Sequence, residues 1–62
     1  MTRDEILAAV ETLAHAQGFY GRLHERLVAM RDEEPDEYDR LMTSLEAQNF
    51  KDAVDLCIYL ET

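Results

Sequence analysis

The sequence is poor in the features that small proteins use to compensate for a small core. It has one cysteine, Cys57, which excludes an internal disulfide, and no Cys/His cluster has the spacing of a zinc site. A chain of 62 residues forms one domain at most and buries only about 60% of the surface that its unfolded form exposes. We therefore expect a single domain over residues 1–62, with no metal, no other cofactor and no deep catalytic cleft.

Basic residues are also scarce. Six Lys and Arg stand against fourteen Asp and Glu, so the formal net charge is −8. Nucleic acids and anionic membranes favour proteins with an excess of Lys and Arg, and neither is expected as a direct partner. No stretch has the apolar length of a signal peptide core or a membrane span, and the sequence therefore predicts a cytoplasmic protein.

The chain contains few residues that interrupt helices. Its two glycines and one proline divide it into segments of helical length, and Thr2 stands three residues before Glu5, the spacing of a helix capping box. Apolar residues recur at helical spacing within each segment. We predict an all-α fold of four short helices, arranged as two similar helical hairpins that pack as a mini-bundle. The predicted helices cover residues 3–17, 19–31, 35–47 and 50–61.

Specific residues are expected to shape the junctions between these helices. Gly18 is predicted to adopt the left-handed conformation that ends the first helix. Pro35 suits the first turn of the third helix. Asn49 is predicted to be left-handed at the end of the third helix and to cap the fourth, with Asp52 strengthening the cap. Similar tetrapeptides surround Gly18 and Asn49, which supports the two-hairpin arrangement.

The apolar stripes of the four helices define a predicted core. The fourth helix is expected to be the most buried element, because its apolar residues cover a broad arc. Cys57 belongs to this arc and is expected to be a buried, unreactive thiol. The predicted core residues are Ile6, Val10, Leu13, Leu23, Leu27, Leu41, Leu45, Phe50, Val54, Cys57 and Ile58.

The excess of acidic residues lies in the second half of the chain. Residues 1–31 carry four acidic and four basic side chains, whereas residues 32–62 carry ten acidic and two basic ones. Carboxylates one helical turn apart repel each other. The pattern indicates either a solubilising surface or a row of carboxylates that imitates a phosphate track and binds a basic protein surface. The candidate partner-binding residues of this acidic face are Asp32, Glu33, Asp36, Glu37, Asp39, Glu46, Asp52 and Asp55.

The second predicted helix carries an alternative candidate face, formed by Phe19, Tyr20, Arg22 and Arg26. Aromatic residues and arginine are enriched at protein interfaces. The two arginines could instead pair with acidic residues of the third helix, which would also explain why the charges separate between the halves. Tyr20 flanks an apolar stripe, so it belongs either to the edge of the core or to a contact surface.

No group of residues has the spacing of a catalytic site. His15 and His24 fall on different predicted helices, and Ser44 is the only serine. The two glycines Gly18 and Gly21 are not followed by the Lys-Ser or Lys-Thr pair of a phosphate-binding loop. We therefore expect no enzymatic activity.

Three segments resemble a group of small uncharacterised acidic proteins carried on mobile genetic elements, such as phages and conjugative elements, of gut bacteria. They are LAHAQGFYGRL at residues 13–23, NFKDAVDL at 49–56 and YLE at 59–61, whereas residues 30–39 are least similar. The resemblance brings no established activity or functional residues. It implies an inhibitor, because small acidic proteins of such elements often inhibit host defence or nucleic-acid-handling enzymes, some by imitating DNA.

Two functional hypotheses follow. The first is a non-catalytic acidic protein-binding module, an inhibitor or regulator of a host protein whose basic surface binds nucleic acid. The second is a small structural or homo-oligomeric accessory protein without acidic recognition, whose dimer would use apolar surface left over in the first half of the chain. Binding through the acidic face should weaken steeply as salt rises, whereas apolar association should not.

Overall fold

The computed structural model describes all 62 residues and contains four α-helices and no strand, which confirms the predicted all-α mini-bundle. None of the helices combines the length and apolar character needed to cross a lipid bilayer. The first helix ends earlier than predicted, and the fourth begins later. The second helix is longer than predicted at both ends. The helices are α1 (Arg3–Ala14), α2 (Gly18–Glu33), α3 (Pro35–Glu46) and α4 (Ala53–Glu61).

The central helix of the bundle is α1, whose backbone packs against α2, α3 and α4. α2 and α3 also pack against each other, but the backbone of α4 comes close only to that of α1. The two helix pairs therefore differ. α1 and α2 form a packed hairpin, whereas α3 and α4 each pack on α1 without packing on each other.

The start of α1 has the predicted capping box. The Thr2 hydroxyl accepts a hydrogen bond from the Glu5 backbone N–H at 3.3 Å, and the Thr2 N–H donates to the Glu5 carboxylate at 2.9 Å. The hydrogen bond from the Thr2 backbone lowers the pKa of Glu5. These bonds fix where α1 begins and so orient Arg3, the first residue of the helix, toward α3.

The junction between α1 and α2 differs from the prediction at Gly18. No glycine has a positive φ, and Gly18 is the first residue of α2. The chain turns earlier, because the N–H groups of Ala16 and Gln17 both donate to the Leu13 carbonyl, at 3.0 and 3.1 Å. Gln17 is extended, with φ −143°, so the turn needs no left-handed residue. The left-handed Gly18 was therefore a wrong prediction.

The junction between α3 and α4 agrees with the sequence at one residue and differs at another. Asn49 has φ 55°, which confirms its left-handed conformation. It does not cap α4, because Asp52 is the N-cap and accepts hydrogen bonds from the N–H groups of Val54 and Asp55, at 3.0 and 3.1 Å. α4 thus starts three residues later than predicted. Phe50 lies in the preceding loop, where it is buried.

The core is small and is centred on α1. Of the predicted core residues, Ile6, Val10, Leu27 and Phe50 are buried, whereas Leu13, Leu23, Leu45 and Cys57 are only partly buried. Leu41 is 38% exposed and lies at the surface of α3. The buried residues that the core prediction lacked are Ala9, Tyr20, Tyr38, Met42 and Leu56.

The buried face of α4 is opposite to the predicted one. Leu56 is fully buried, but Val54 and Ile58 are 63% and 62% exposed. Residues two positions before and after Leu56 lie about 160° around the helix from it, so they point away from the core when Leu56 points in. Leu56 is also the only buried residue of α4, and the prediction that this helix is the most buried element was wrong.

Candidate protein-binding surfaces

Acidic side chains crowd the junction between α2 and α3. Only Glu34 separates the two helices, and Pro35 occupies the first turn of α3, where its fixed φ suits a helix start. The flanking carboxylates complement the exposed N–H groups of the α3 N-terminus. We call this surface the acidic corner; its residues, all exposed, are Asp32, Glu33, Glu34, Asp36 and Glu37.

Two predicted acidic-face residues are bound by Arg3 within the chain. The Arg3 guanidinium donates to Asp39 at 2.5 Å and to Glu46 at 3.1 Å, and it also donates to the Thr43 hydroxyl at 3.2 Å. The hydrogen bonds that Arg3 donates to Asp39 and, to a lesser degree, to Glu46 raise the pKa of Arg3. Asp39 and Glu46 therefore join α3 to the start of α1 rather than presenting free charge to a partner.

Three further acidic-face residues have local partners. Glu37 pairs with Arg40 one turn along α3, and Asp52 caps α4. The Asp55 carboxylate accepts a hydrogen bond from the Lys51 backbone N–H at 3.1 Å. Only some residues of the predicted acidic face are thus left without a structural role.

The remaining acidic-face residues belong to the acidic corner. Asp32 lies 3.8 Å from the Arg31 guanidinium in a pair of exposed neighbours, a geometry that contributes little to stability. Glu33 and Asp36 form no ion pair. The free negative charge of the predicted face is therefore concentrated at the acidic corner.

The alternative face predicted on α2 is divided between surface and core. Tyr20 is fully buried, so it cannot contact a partner directly. Phe19 is 58% exposed, and its ring packs edge-on against Tyr20 with ring centroids 5.2 Å apart. Arg22 and Arg26 are exposed and form no ion pair, so the suggested pairing with α3 does not occur. Arg3 forms the ion pairs with acidic residues of α3 instead.

The buried Tyr20 hydroxyl links α2 to α4. It donates to the Glu61 carboxylate at 2.9 Å and lies 3.1 Å from the Cys57 sulfur. The hydrogen bond with Cys57, burial and the hydrogen bond with Glu61 all raise the pKa of Tyr20 above the usual range. Cys57 is only partly buried, which corrects its prediction as a core residue. Its sulfur contacts the Tyr20 hydroxyl, and the residue also lines an apolar depression of the surface.

An apolar cavity of about 180 Å³ lies between α4 and the α2–α3 pair. We call it the central groove. Its floor consists of Ile6 and Val10 of α1, Leu27 of α2 and Leu56 of α4, all at most 2% exposed. Because the backbone of α4 comes close to that of α1 but not to those of α2 and α3, the space between them is left open above this floor.

The rim of the central groove is apolar as well. Leu41 and Leu45 of α3 form one side, and Tyr59 and Leu60 of α4 form the other, with Leu23 of α2 between them. Leu41 is 38% and Tyr59 47% exposed, so the groove opens to solvent through these two side chains. Among these residues, sequence reasoning had placed Leu41, Leu45 and Leu23 in the core. The broad apolar arc of α4 predicted burial, whereas in the structure it supplies apolar residues to more than one surface.

A second apolar surface lies on the opposite side of α4. A shallow depression of about 210 Å³ there is lined only by apolar residues. Two of them, Val54 and Ile58, are among the most exposed apolar side chains of the chain. We call this surface the outer strip; its residues are Leu13, Ala53, Val54, Cys57 and Ile58.

The titratable residues do not assemble into a metal-binding cluster. No three His, Cys, Asp or Glu side chains come together in the way that a metal ion requires. His15 lies at the end of α1 and His24 within α2, and neither forms an ion pair. The candidate sites are three surfaces: the acidic corner, the central groove and the outer strip.

Comparison of the chain with protein-family models, with curated proteins and with solved structures gives no match. Its function is therefore argued from these three surfaces.

Proposed function

We propose that the chain is a non-catalytic acidic protein-binding module that acts in the cytoplasm as an inhibitor or regulator of a protein with a basic surface. The observation that carries this proposal is the free charge of the acidic corner. Glu33 and Asp36 have no cationic partner, even though Arg22 and Arg26 are also unpaired in the same chain. The chain thus keeps its acidic corner available to another molecule.

The net charge of −8 supports the same proposal. A protein with this field attracts cationic surfaces at long range and speeds their association, and the effect is screened over about 8–10 Å at physiological ionic strength. A basic nucleic-acid-binding surface of a host protein has the complementary charge. The resemblance to acidic proteins of mobile genetic elements supports a host defence or nucleic-acid-handling protein as the class of partner.

The test uses two charge-matched double variants and a partner purified on the immobilised chain. Glu33→Gln with Asp36→Asn removes two free charges of the acidic corner. Glu11→Gln with Glu25→Gln removes two exposed charges from α1 and α2 and serves as the control. We expect the corner variant to slow association several-fold more than the control, and to flatten the salt dependence measured by surface plasmon resonance.

Two results would contradict this proposal. One is a partner whose affinity is the same at low and high salt. The other is an equal effect of the two double variants, which would assign the attraction to overall charge alone. Circular dichroism of both variants checks that the helices are retained.

The outer strip supports a second candidate function, a homo-oligomeric accessory protein. Val54 and Ile58 are more than 60% exposed on a helix whose residues are mostly apolar, and helices that are apolar on all sides are usually buried. This surface lies mainly on α4 and not in the first half of the chain, where we had expected it. Ile58→Gln should then abolish a dimer seen by sedimentation velocity, whereas a chain that is monomeric at all concentrations would exclude this function.

A further inference from the structure

The central groove continues beyond its cavity in both directions. It shares Leu41 with a depression that also contains Met30, near the end of α2. It shares Leu60 with another depression that contains Phe19, near the start of α2. The three depressions therefore adjoin one another along α2, and we call them together the extended groove.

One face of α2 runs along the whole extended groove. Phe19, Leu23, Leu27 and Met30 each line a part of it, and these positions fall within roughly 80° of the helix circumference. At 1.5 Å per residue, the face from Phe19 to Met30 is about 16 Å long. This length matches about three turns of an α-helix.

The size of the central cavity indicates what enters it. Its volume of about 180 Å³ is below the roughly 300–1,000 Å³ typical of small-molecule sites. The adjoining depressions, of about 560 and 310 Å³, are larger but more open to solvent. A single large side chain, inserted from a helix that lies along the groove, is of the right size. Buried anchor side chains of this kind supply most of the binding energy at protein interfaces.

The charges around the extended groove indicate which kind of helix can bind there. A carboxylate lies at each end of the extended groove: Glu37, beside Arg40, at the Met30 end and Glu61 at the Phe19 end. Glu37 is paired with Arg40, so the free charge near this end comes from Glu33 and Asp36 of the acidic corner. That charge favours a cationic occupant over a second copy of this chain, which carries the same charge of −8.

We propose that the extended groove binds a positively charged amphipathic helix of the partner protein, with apolar side chains at i, i+4 and i+7 facing α2. This inference rests on the proposed function and specifies the partner's binding element. One apolar side chain fills the central cavity between Leu41 and Tyr59, and basic residues at the helix ends approach Glu37 and Glu61. Arg22 and Arg26 make one flank of α2 positive, so the basic residues lie mainly at the ends and along the other flank.

The experiment uses two fluorescent peptides of identical Leu and Lys composition. The patterned peptide places leucine at i, i+4 and i+7, and the scrambled peptide breaks this spacing. Binding is measured by fluorescence anisotropy for the unmodified chain and for three single variants. Leu41→Gln and Tyr59→Gln change the two sides of the groove, and Ala29→Gln changes an exposed residue of α2 outside the groove and the outer strip as the control.

We expect the patterned peptide to bind about tenfold more tightly than the scrambled one. Leu41→Gln and Tyr59→Gln should each weaken it about tenfold, and Ala29→Gln should leave its affinity within about twofold. Circular dichroism confirms folding of each variant, and the scrambled peptide provides a second check because its purely electrostatic binding should not change.

Three outcomes would overturn the inference. Equal binding of both peptides that is lost at high salt would support the acidic protein-binding module but would contradict a helix-binding groove. A dimer of the unmodified chain that Leu41→Gln dissociates and Ala29→Gln does not would assign the groove to a second copy. Failure of both peptides to bind at low salt would overturn the groove and the acidic recognition together.

Discussion

The hydroxyl of Tyr20 donates a 2.9 Å hydrogen bond to the carboxylate of Glu61, joining the first turn of α2 to the last residue of α4. The backbones of these two helices do not pack against each other. The side chain of Tyr20 thus connects α2 directly to α4. Its protonation state therefore affects how firmly α4 is attached to the rest of the fold.

Tyr20 should make the protein sensitive to alkaline pH. Its pKa is raised in the folded state above the ordinary value of 10.0, so the folded chain keeps this proton more tightly than the unfolded chain. The resulting stability is fully present below pH 10.0 and is lost as pH rises further toward the folded pKa. Urea unfolding at neutral and strongly alkaline pH measures the loss, and Tyr20→Phe should reduce it. An unchanged alkaline loss in Tyr20→Phe would assign it to other groups.

Leu56 and Val54 should respond very differently to truncation. Leu56→Ala removes a fully buried side chain and should cost about 2–4 kcal/mol, a large part of the roughly 3–9 kcal/mol expected for a domain of this size. Val54→Ala changes a side chain that is 63% exposed and should cost less than about 0.5 kcal/mol. Chemical denaturation of the two variants compares them directly. Similar losses would mean that α4 is rotated relative to the structure described.

Gly21→Ala should stabilise the protein. Gly21 lies within α2 without a positive φ, and a Cβ atom placed on it would meet no atom within 4 Å. Alanine is favoured over glycine in a helix because it loses less backbone entropy on folding, and we expect a gain of about 0.5–1 kcal/mol. A lower melting temperature for this variant would contradict both the helical conformation and the open space at this position.

The pair of Arg3 and Asp39 should show a coupling that depends on salt. Arg3→Gln breaks the contacts of α1 with Asp39, Thr43 and Glu46, and should lower the melting temperature more than Arg31→Gln, whose partner lies 3.8 Å away. A double-mutant cycle with Asp39→Asn isolates the pair. Because exposed ion pairs are screened, the coupling should shrink at about 1 M salt. A coupling that salt leaves unchanged would contradict an electrostatic origin.

Sequence reasoning predicted the helices best where local chemistry determines them. The hydroxyl and carboxylate of Thr2 and Glu5 were enough to place the start of α1, and the tolerance of asparagine for left-handed backbone identified Asn49. Pro35 marked the start of α3 for the same kind of reason. In each case, the deciding interaction lies within a few residues along the chain.

The predictions were wrong where several local conformations fitted the sequence equally well. α4 has apolar residues on nearly every side, so periodicity could not decide whether Leu56 or Val54 faces α1. At the α1–α2 junction, hydrogen bonds to the Leu13 carbonyl formed a turn that left Gly18 free to begin a helix. Tyr20 was ambiguous between core and surface until the position of Cys57 and Glu61 was known.

The way α4 is attached has a consequence for hydrogen exchange. Its backbone packs only on α1, and Leu56 is its single buried residue, whereas α1, α2 and α3 pack on one another. Segments with few buried contacts open locally without global unfolding. The amide protons of α4 should therefore exchange faster than those in the middle of α1, and mass spectrometry of deuterium uptake resolves the two. The helix that forms one side of the central groove is then the least protected part of the molecule.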